Sequence, residues 1–172
     1  MYHASLLFFS LIAGTAALSS KCFYLPGISI VGGTYDEMDA TDIRQCCIRC
    51  ASDNCCMGYS FDKNRGRCFM KSAISYTEER LHMTSGIKAN TLNGSGSRLK
   101  NIQIEGGKSS TPLKNAQECQ QYCNSFGIFS WLPPTLGEEM GSCMCTNRIV
   151  KMKYLHGAQS AIFPISAELS LE

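Results

Sequence analysis

Cysteine is the residue type with the most chemistry to offer in this chain, with 11 in 172 residues, a density far above that of ordinary cytosolic chains. Thiols can be oxidised to bridges, hold a metal or cycle in redox exchange, and spacing separates these uses. The paired Cys-x-x-Cys knuckles of a zinc site are absent, and neither Cys46-Cys47 nor Cys55-Cys56 has the spacing of a redox pair. No metal and no cofactor are therefore expected. Bridges remain, and bridges require an oxidising compartment. The start of the chain agrees, because the apolar run Leu6 to Ile12 followed by the small residues Ala17 and Ser19 has the order of a secretory signal peptide. Residues 1–19 read as that signal, with a mature start near Ser20. No later segment approaches the roughly 20 apolar residues of a membrane span, and Ser166 to Glu172 is too short and acidic for a lipid-anchor signal. The expectation is a secreted, extracellular protein without membrane insertion.

A second group that could do chemistry is Lys151-Met152-Lys153-Tyr154-Leu155-His156. Lys151, Lys153 and His156 supply directional donors, and Tyr154 offers a ring face and a hydroxyl, the mixture that orients a polar ligand such as a sugar. Against this stands the plain reading of solvated residues on an exposed strand, with Tyr154 in the core. Strand alternation places Lys153 with Lys151 and Leu155, and Tyr154 with His156 on the other face. They converge only if the segment bends, for which Gly157 provides a turn. Earlier in the chain Lys71, Tyr76 and His82 are scattered counterparts, and there the solvated reading is the stronger one.

The inventory for catalysis is poor. Once His3 leaves with the signal, His82 and His156 alone could do imidazole chemistry, and no nucleophile elbow, phosphate loop or His-Glu-x-x-His occurs. Glu78-Glu79 and Glu138-Glu139 read as solvated loop acids. The chain is expected not to be an enzyme, since catalysis needs a convergent constellation. A net charge of +2 with interspersed signs gives no field for nucleic acid, which is excluded as a partner. Asn93-Gly94-Ser95 is a glycosylation acceptor sequence of the kind found on exposed loops of secreted proteins.

The elements that must position these groups follow from an internal repeat. A slide of about 70 to 75 residues brings Ile28 to Gly33 onto Ile102 to Gly107, Gln45-Cys46 and Cys50 onto Glu118-Cys119 and Cys123, Tyr59-Ser60-Phe61 onto Phe129-Ser130-Trp131, and Gly66-Arg67-Cys68 onto Gly141-Ser142-Cys143. Two modules at residues 20–89 and 98–166 result, with a flexible Gly/Asn/Ser-rich linker at 90–97 and a tail at 167–172. Modules of roughly 70 residues have marginal cores, so staples are expected. Ile28 and Ile30, like Ile102 and Ile104, alternate with polar residues before a Gly-Gly turn and suit half-buried strands. Thr41 or Asp42 caps a helix to about Ala51, while Ser110 or Thr111, before Pro112, starts one reaching about Phe126. Cys46 and Cys50 then share a helix face, as do Cys119 and Cys123. The segments around Tyr59 and Phe129, and Cys68 to Lys71 and Cys143 to Thr146, read as the strands under those helices. Trp131 falls on Phe61 and reads as core.

Cys22-Phe23, Gly32-Gly33, Cys46, Cys50, Cys56 with Tyr59 and Phe61, Cys68-Phe69-Met70-Lys71 and Ser85-Gly86 fall in the order of the PAN/apple family, which the first module resembles from about Cys22 to Ala89. The second module is a degenerate match, for no cysteine follows Cys123 where Cys56 stands in the first. Its Cys143-Met144-Cys145 is also similar to WSC-type carbohydrate-binding modules. The resemblance implies an α+β fold of two small disulfide-rich PAN/apple modules, each an antiparallel sheet with one helix packed across it. It also implies bridges Cys46–Cys68 and Cys50–Cys56, with Cys119–Cys143 and Cys123–Cys145 as their counterparts in the second module. The family's partner for its first cysteine is absent here, and Cys47 stands as the substitute partner of Cys22. Cys55 is then left over, which points to intermolecular pairing, hence a homodimer, or a free thiol; sequence by itself leaves the connectivity open. Tandem modules with a doubled helix cysteine look most like microneme adhesins of apicomplexan parasites. The expectation that follows is a lectin or adhesin for host glycans, galactose-type sugars first, delivered through a secretory organelle such as a microneme. The alternatives are a protein-protein module docking a cell-surface glycoprotein or other membrane-bound partner, and a structural coat or wall component.

Overall fold

The computed structural model describes residues 22–91, 96–107 and 109–163. The expected signal segment 1–19, the start at Ser20, the glycosylation acceptor Asn93 and the tail 167–172 lie outside the described residues. The elements run β1 (Cys22–Val31), β2 (Thr34–Asp39), α1 (Ile43–Ser52), β3 (Gly58–Asp62), β4 (Arg67–Lys71), β5 (Tyr76–Lys88), then β6 (Ser97–Glu105), β7 (Ser109–Leu113), α2 (Ala116–Tyr122), β8 (Ile128–Leu132), β9 (Gly141–Thr146) and β10 (Lys151–Ile162). The second six repeat the type and order of the first six, and every strand pair is antiparallel.

Local chemistry accounts for most of these bounds. Asp42 caps α1 by accepting from the Arg44 and Gln45 amides at 2.8 and 3.1 Å. The second helix departs from expectation: Ser109–Leu113 is an edge strand paired to β9 rather than a helix start, and α2 begins at Ala116. Asn115 is the better cap, since its side chain accepts from the Glu118 amide at 2.9 Å and Glu118 reaches back to the Lys114 amide at 3.2 Å. Pro112, lacking an N–H, fits an edge strand. The helix ends at Tyr122 rather than near Phe126, with Cys123 as its C-cap. Gly32 and Gly33 end β1 at φ of +97° and +60°. A Cβ on Gly33 would also collide with the Ala73 backbone, so the turn needs glycine on both counts.

The halves share one strand ladder. β5 and β10 meet at Tyr76 and Lys153, and the Thr77 hydroxyl accepts from the Met152 amide at 2.8 Å while lying 3.4 Å from its carbonyl. Thr77 and Met152 occupy equivalent places in the two halves, being paired to Ile30 and Ile104 respectively, so the junction relates the halves by an approximate twofold. Beneath it runs a single apolar cluster that mixes Leu25, Ile30, Ile74 and Ile87 with Leu99, Ile102, Ile104, Ile128, Met152 and Ile162. Two smaller clusters lie under the helices and hold the bridged cysteines, with Tyr59, Phe61 and Met70 in one and Phe129 and Trp131 in the other. The ends of the 90–97 segment are tied together: Asn90 exchanges side-chain hydrogen bonds with the Arg98 backbone at 2.7 and 2.8 Å, its amide bonds the Gly96 carbonyl at 2.9 Å, and Ser97 already belongs to β6.

Candidate functional site

The bridges are built first, because they set the faces. Cys46 and Cys50, one turn apart on α1, reach Cys68 on β4 and Cys56 before β3, while Cys47 reaches Cys22 at the start of β1. In the second half Cys119 and Cys123 reach Cys143 and Cys145 on β9. The sulfurs of Cys119, Cys123 and Cys143 gather closely, but each is already committed to a bridge and none is the thiolate a metal requires. Cys55 is exposed and is the free cysteine among the described residues.

Each helix covers one face of its strands, and period-two alternation sends the intervening side chains to the other. On β4, Cys68 and Met70 pack under α1, so Phe69 and Lys71 face away. On β3, Tyr59 and Phe61 pack under α1, so Ser60 and Asp62 face away. Across the neighbouring strands, Glu78, Arg80 and His82 of β5 and Ser29 of β1 join them, and with Arg65 and Thr34 they line a polar cleft of ≈350 Å³. Ser60 belongs to a buried serine pair behind the cleft: Ser60 and Ser85 lie 2.8 Å apart, and both hydroxyls accept from the Ile30 amide, at 3.0 and 3.1 Å. Asp62 is buried and holds the β3–β4 turn by accepting from the Asn64 and Arg65 amides at 2.9 and 3.2 Å. Glu78 pairs with Arg80 at 2.7 Å, and Arg65 approaches Asp62 at 3.8 Å. Lys71 is only 6 % exposed, donates a short hydrogen bond to Thr34 Oγ1, and lies 6.0 Å from the Phe69 ring centroid. Burial pushes its pKa down from the usual lysine value, with Glu37 opposing.

The second half repeats the serine pair and loses the walls. Ser130 and Ser160 lie 2.9 Å apart and Ser130 accepts from the Ile104 amide at 3.1 Å, the counterpart of the Ser60–Ser85 arrangement. Counting out from those serines, Leu132 stands for Asp62, Met144 for Phe69, Thr146 for Lys71, Leu155 for Arg80 and Gly157 for His82. Lys153, in place of Glu78, is drawn to Glu105 at 2.8 Å.

Of the residues singled out from the sequence, Lys151, Tyr154 and His156 are exposed on β10 and Lys153 is partly exposed. A register shift lies between Tyr154 and Gln159, with Gly157 at φ +81°. Alternation fails there, leaving Tyr154, Leu155 and His156 exposed in succession. By position, Tyr154 and His156 correspond to Glu79 and Leu81, which do not line the first half's cleft. Lys71 and His82, seen in the sequence as scattered, are brought into one cleft, whereas Tyr76 lies at the junction strand. Arg65, Asp62, Glu78, Arg80 and the two serines were missed. Each is ordinary by type, and only the period-two phase relative to the bridged cysteines could have singled them out. Among the described residues, other concavities include one of mixed polarity lined by Phe23 to Pro26 and Asn147 to Ile149, and one lined by Arg98 and four glutamines. Among the described residues no helix is long and apolar enough to cross a membrane.

Comparison with known proteins gives three results. No curated protein matches the chain. Among solved structures the chain aligns with the two N-terminal apple domains of Toxoplasma gondii microneme protein 4, at 12 % identity over 83 % of this chain and 89 % of that one, with a TM-score of 0.37. A family model described as the PAN domain matches residues 22–91, the span from the first bridged cysteine to just past the end of β5. Residues 22–91 of this chain are therefore similar to a PAN domain.

Proposed function

We propose that this is an extracellular, non-catalytic binding protein that recognises glycans through the polar cleft of its first half. The observation that carries the reading is the cleft itself, where donors and acceptors of both charge signs converge beside the Phe69 ring. Such a mixture suits a polyhydroxyl ligand, each hydroxyl of which donates and accepts. Galactose-type sugars are the first class to test, on the family resemblance. Module bounds at 20–89 and 98–166, delivery through a secretory organelle such as a microneme, and a homodimer bridged through Cys55 belong to the same proposal. The second half, where Leu132, Met144 and Leu155 replace Asp62, Phe69 and Arg80, serves in this reading as a structural partner that completes the shared core.

The test is a glycan array with refolded, disulfide-intact protein, followed by two double variants. Arg65→Ala with His82→Ala should weaken sugar binding about 5- to 150-fold, the loss of two hydrogen bonds at about 0.5–1.5 kcal/mol each. Tyr154→Ala with His156→Ala should leave it unchanged. The reverse result would place the site on β10. A silent array with retained cell binding would favour protein docking instead, for which the exposed Tyr76, Leu81, Tyr154 and Leu155 along β5 and β10 are the available apolar surface.

A further inference from the structure

The cleft contains two guanidinium groups, Arg65 and Arg80, and the Lys71 amine, together with His82, against two carboxylates, Asp62 and Glu78. These charges are not equivalent. Glu78 is engaged by Arg80 and Asp62 by Arg65 and two backbone amides. Glu37, the acid nearest Lys71 on β2, is held by Arg67 at 3.2 Å. Among the described residues Lys71 therefore has no carboxylate within ion-pair distance, and its hydrogen bond goes to a neutral hydroxyl on Thr34. An ammonium taken out of water and left without a counter-charge is costly. A strand position that could hold an apolar residue holds this one, and the equivalent place in the second half is the neutral Thr146.

We infer that the ligand of this cleft bears an oxyanion, a sulfate or a carboxylate on a saccharide, whose oxygens seat on the Lys71 ammonium with Thr34 beside it. This rests on the cleft being the binding site, as proposed above, and adds the chemical class of what enters it. An oxyanion supplies the missing counter-charge and accepts the ammonium protons left after Thr34 takes one. The ring of Phe69 lies near enough to contact the sugar carrying the group. The sequence alone did not point here, since galactose-type ligands are neutral.

The inference is tested by titrating the disulfide-intact protein with four probes at fixed ionic strength: methyl β-galactopyranoside, its 6-sulfate, the corresponding methyl galactosiduronate, and inorganic sulfate. Binding is followed by calorimetry and by the NMR shift of the Lys71 εCH2 group. The sulfated or uronic sugar should bind at least about 10-fold tighter than the neutral one, with the Lys71 signal moving, and inorganic sulfate should move the same signal. The sulfate and uronate arms tell which oxyanion is meant. Lys71→Met, which keeps the side-chain volume, should erase the preference for the acidic sugars while its circular dichroism stays native. A second variant, Thr34→Val, should reduce the preference without abolishing it. Equal binding of neutral and acidic sugars, or a Lys71 signal unmoved by every oxyanion probe, overturns the inference; neutral binding that remains in that case leaves the glycan reading standing. Sulfate that seats on Lys71 while no sugar of either kind binds overturns the glycan reading and the sugar-borne form of the ligand together.

Discussion

At the scale of single residues, the cleft shows how alternation and pairing sort like charges into unlike roles. Arg65 and Arg80 have carboxylate partners, and Lys71 has a hydroxyl. A similar sorting occurs at the rim of α1, where Tyr35 donates to Asp53 at 2.8 Å. Burial first, and then that hydrogen bond to a carboxylate, push the Tyr35 hydroxyl from 10.0 to about 12. Asp53 is displaced the other way, below the usual carboxylate range, by the Cys55 amide first and Tyr35 second. A phenol with a raised folded pKa binds its proton more tightly in the folded state. Its contribution to stability is whole below pH 10.0 and is lost as pH rises from there through about 12. Tyrosinate absorbance should show one exposed tyrosine titrating late, and Asp53→Asn should bring that titration back toward 10.0. A Tyr35 that titrates near 10.0 would show that its burial and the Asp53 contact do not persist in solution.

At the scale of elements, each helix is held twice, by its cap and by its bridges. The cap of α1 is Asp42, whose removal typically costs about 0.5–2 kcal/mol of helix stability. Three bridged cysteines on α1 limit how far that loss can spread. Asp42→Ala should therefore leave the helix in place and fray its first turn, speeding exchange of the Arg44 and Gln45 amides by about 2- to 30-fold, the equivalent of that energy. Exchange rising equally along the whole of α1 would mean that the bridges do not isolate the cap. The bulges are repeated elements as well. Gly27 at φ +72° and Asn101 at φ +59° mark the same place in β1 and β6, and the Asn101 side chain accepts from the Gly157 amide at 2.9 Å across the second one. The first bulge lies opposite the Arg80 to His82 stretch of β5, which falls between the paired residues Glu79 and Thr84.

At the scale of the whole molecule, the central apolar cluster belongs to both halves, so neither half completes its own core. The Thr77 hydroxyl is the polar link at its centre, bonded to Met152 across the junction. Thr77→Val keeps the shape and leaves the Met152 amide without that acceptor in a buried position, at a cost of about 1–3 kcal/mol. It should lower the urea midpoint of the intact protein without separating the transition into two. Two resolved transitions, one per half, would show that the halves fold independently of the junction.

The sequence by itself determined the repeat, the helix faces that carry the cysteines, the strands beneath them and a cap at Thr41 or Asp42, because each rests on contacts between residues close in the chain or on a period that side-chain geometry enforces. Ser60 aligned with Ser130 in the sequence, yet nothing local said that each would hold a backbone amide of a strand about 30 or 26 residues earlier. The start of α2 was misread because Thr111-Pro112 and Asn115 both offer plausible beginnings, and the pairing of β7 to β9 decided between them. Only the tertiary structure joined β5 to β10, set Lys71 beside Thr34 and brought both into one cleft with Arg80. A cleft assembled from five chain segments depends on which strands become neighbours, and that order is set by burial of the shared core rather than by any local pattern.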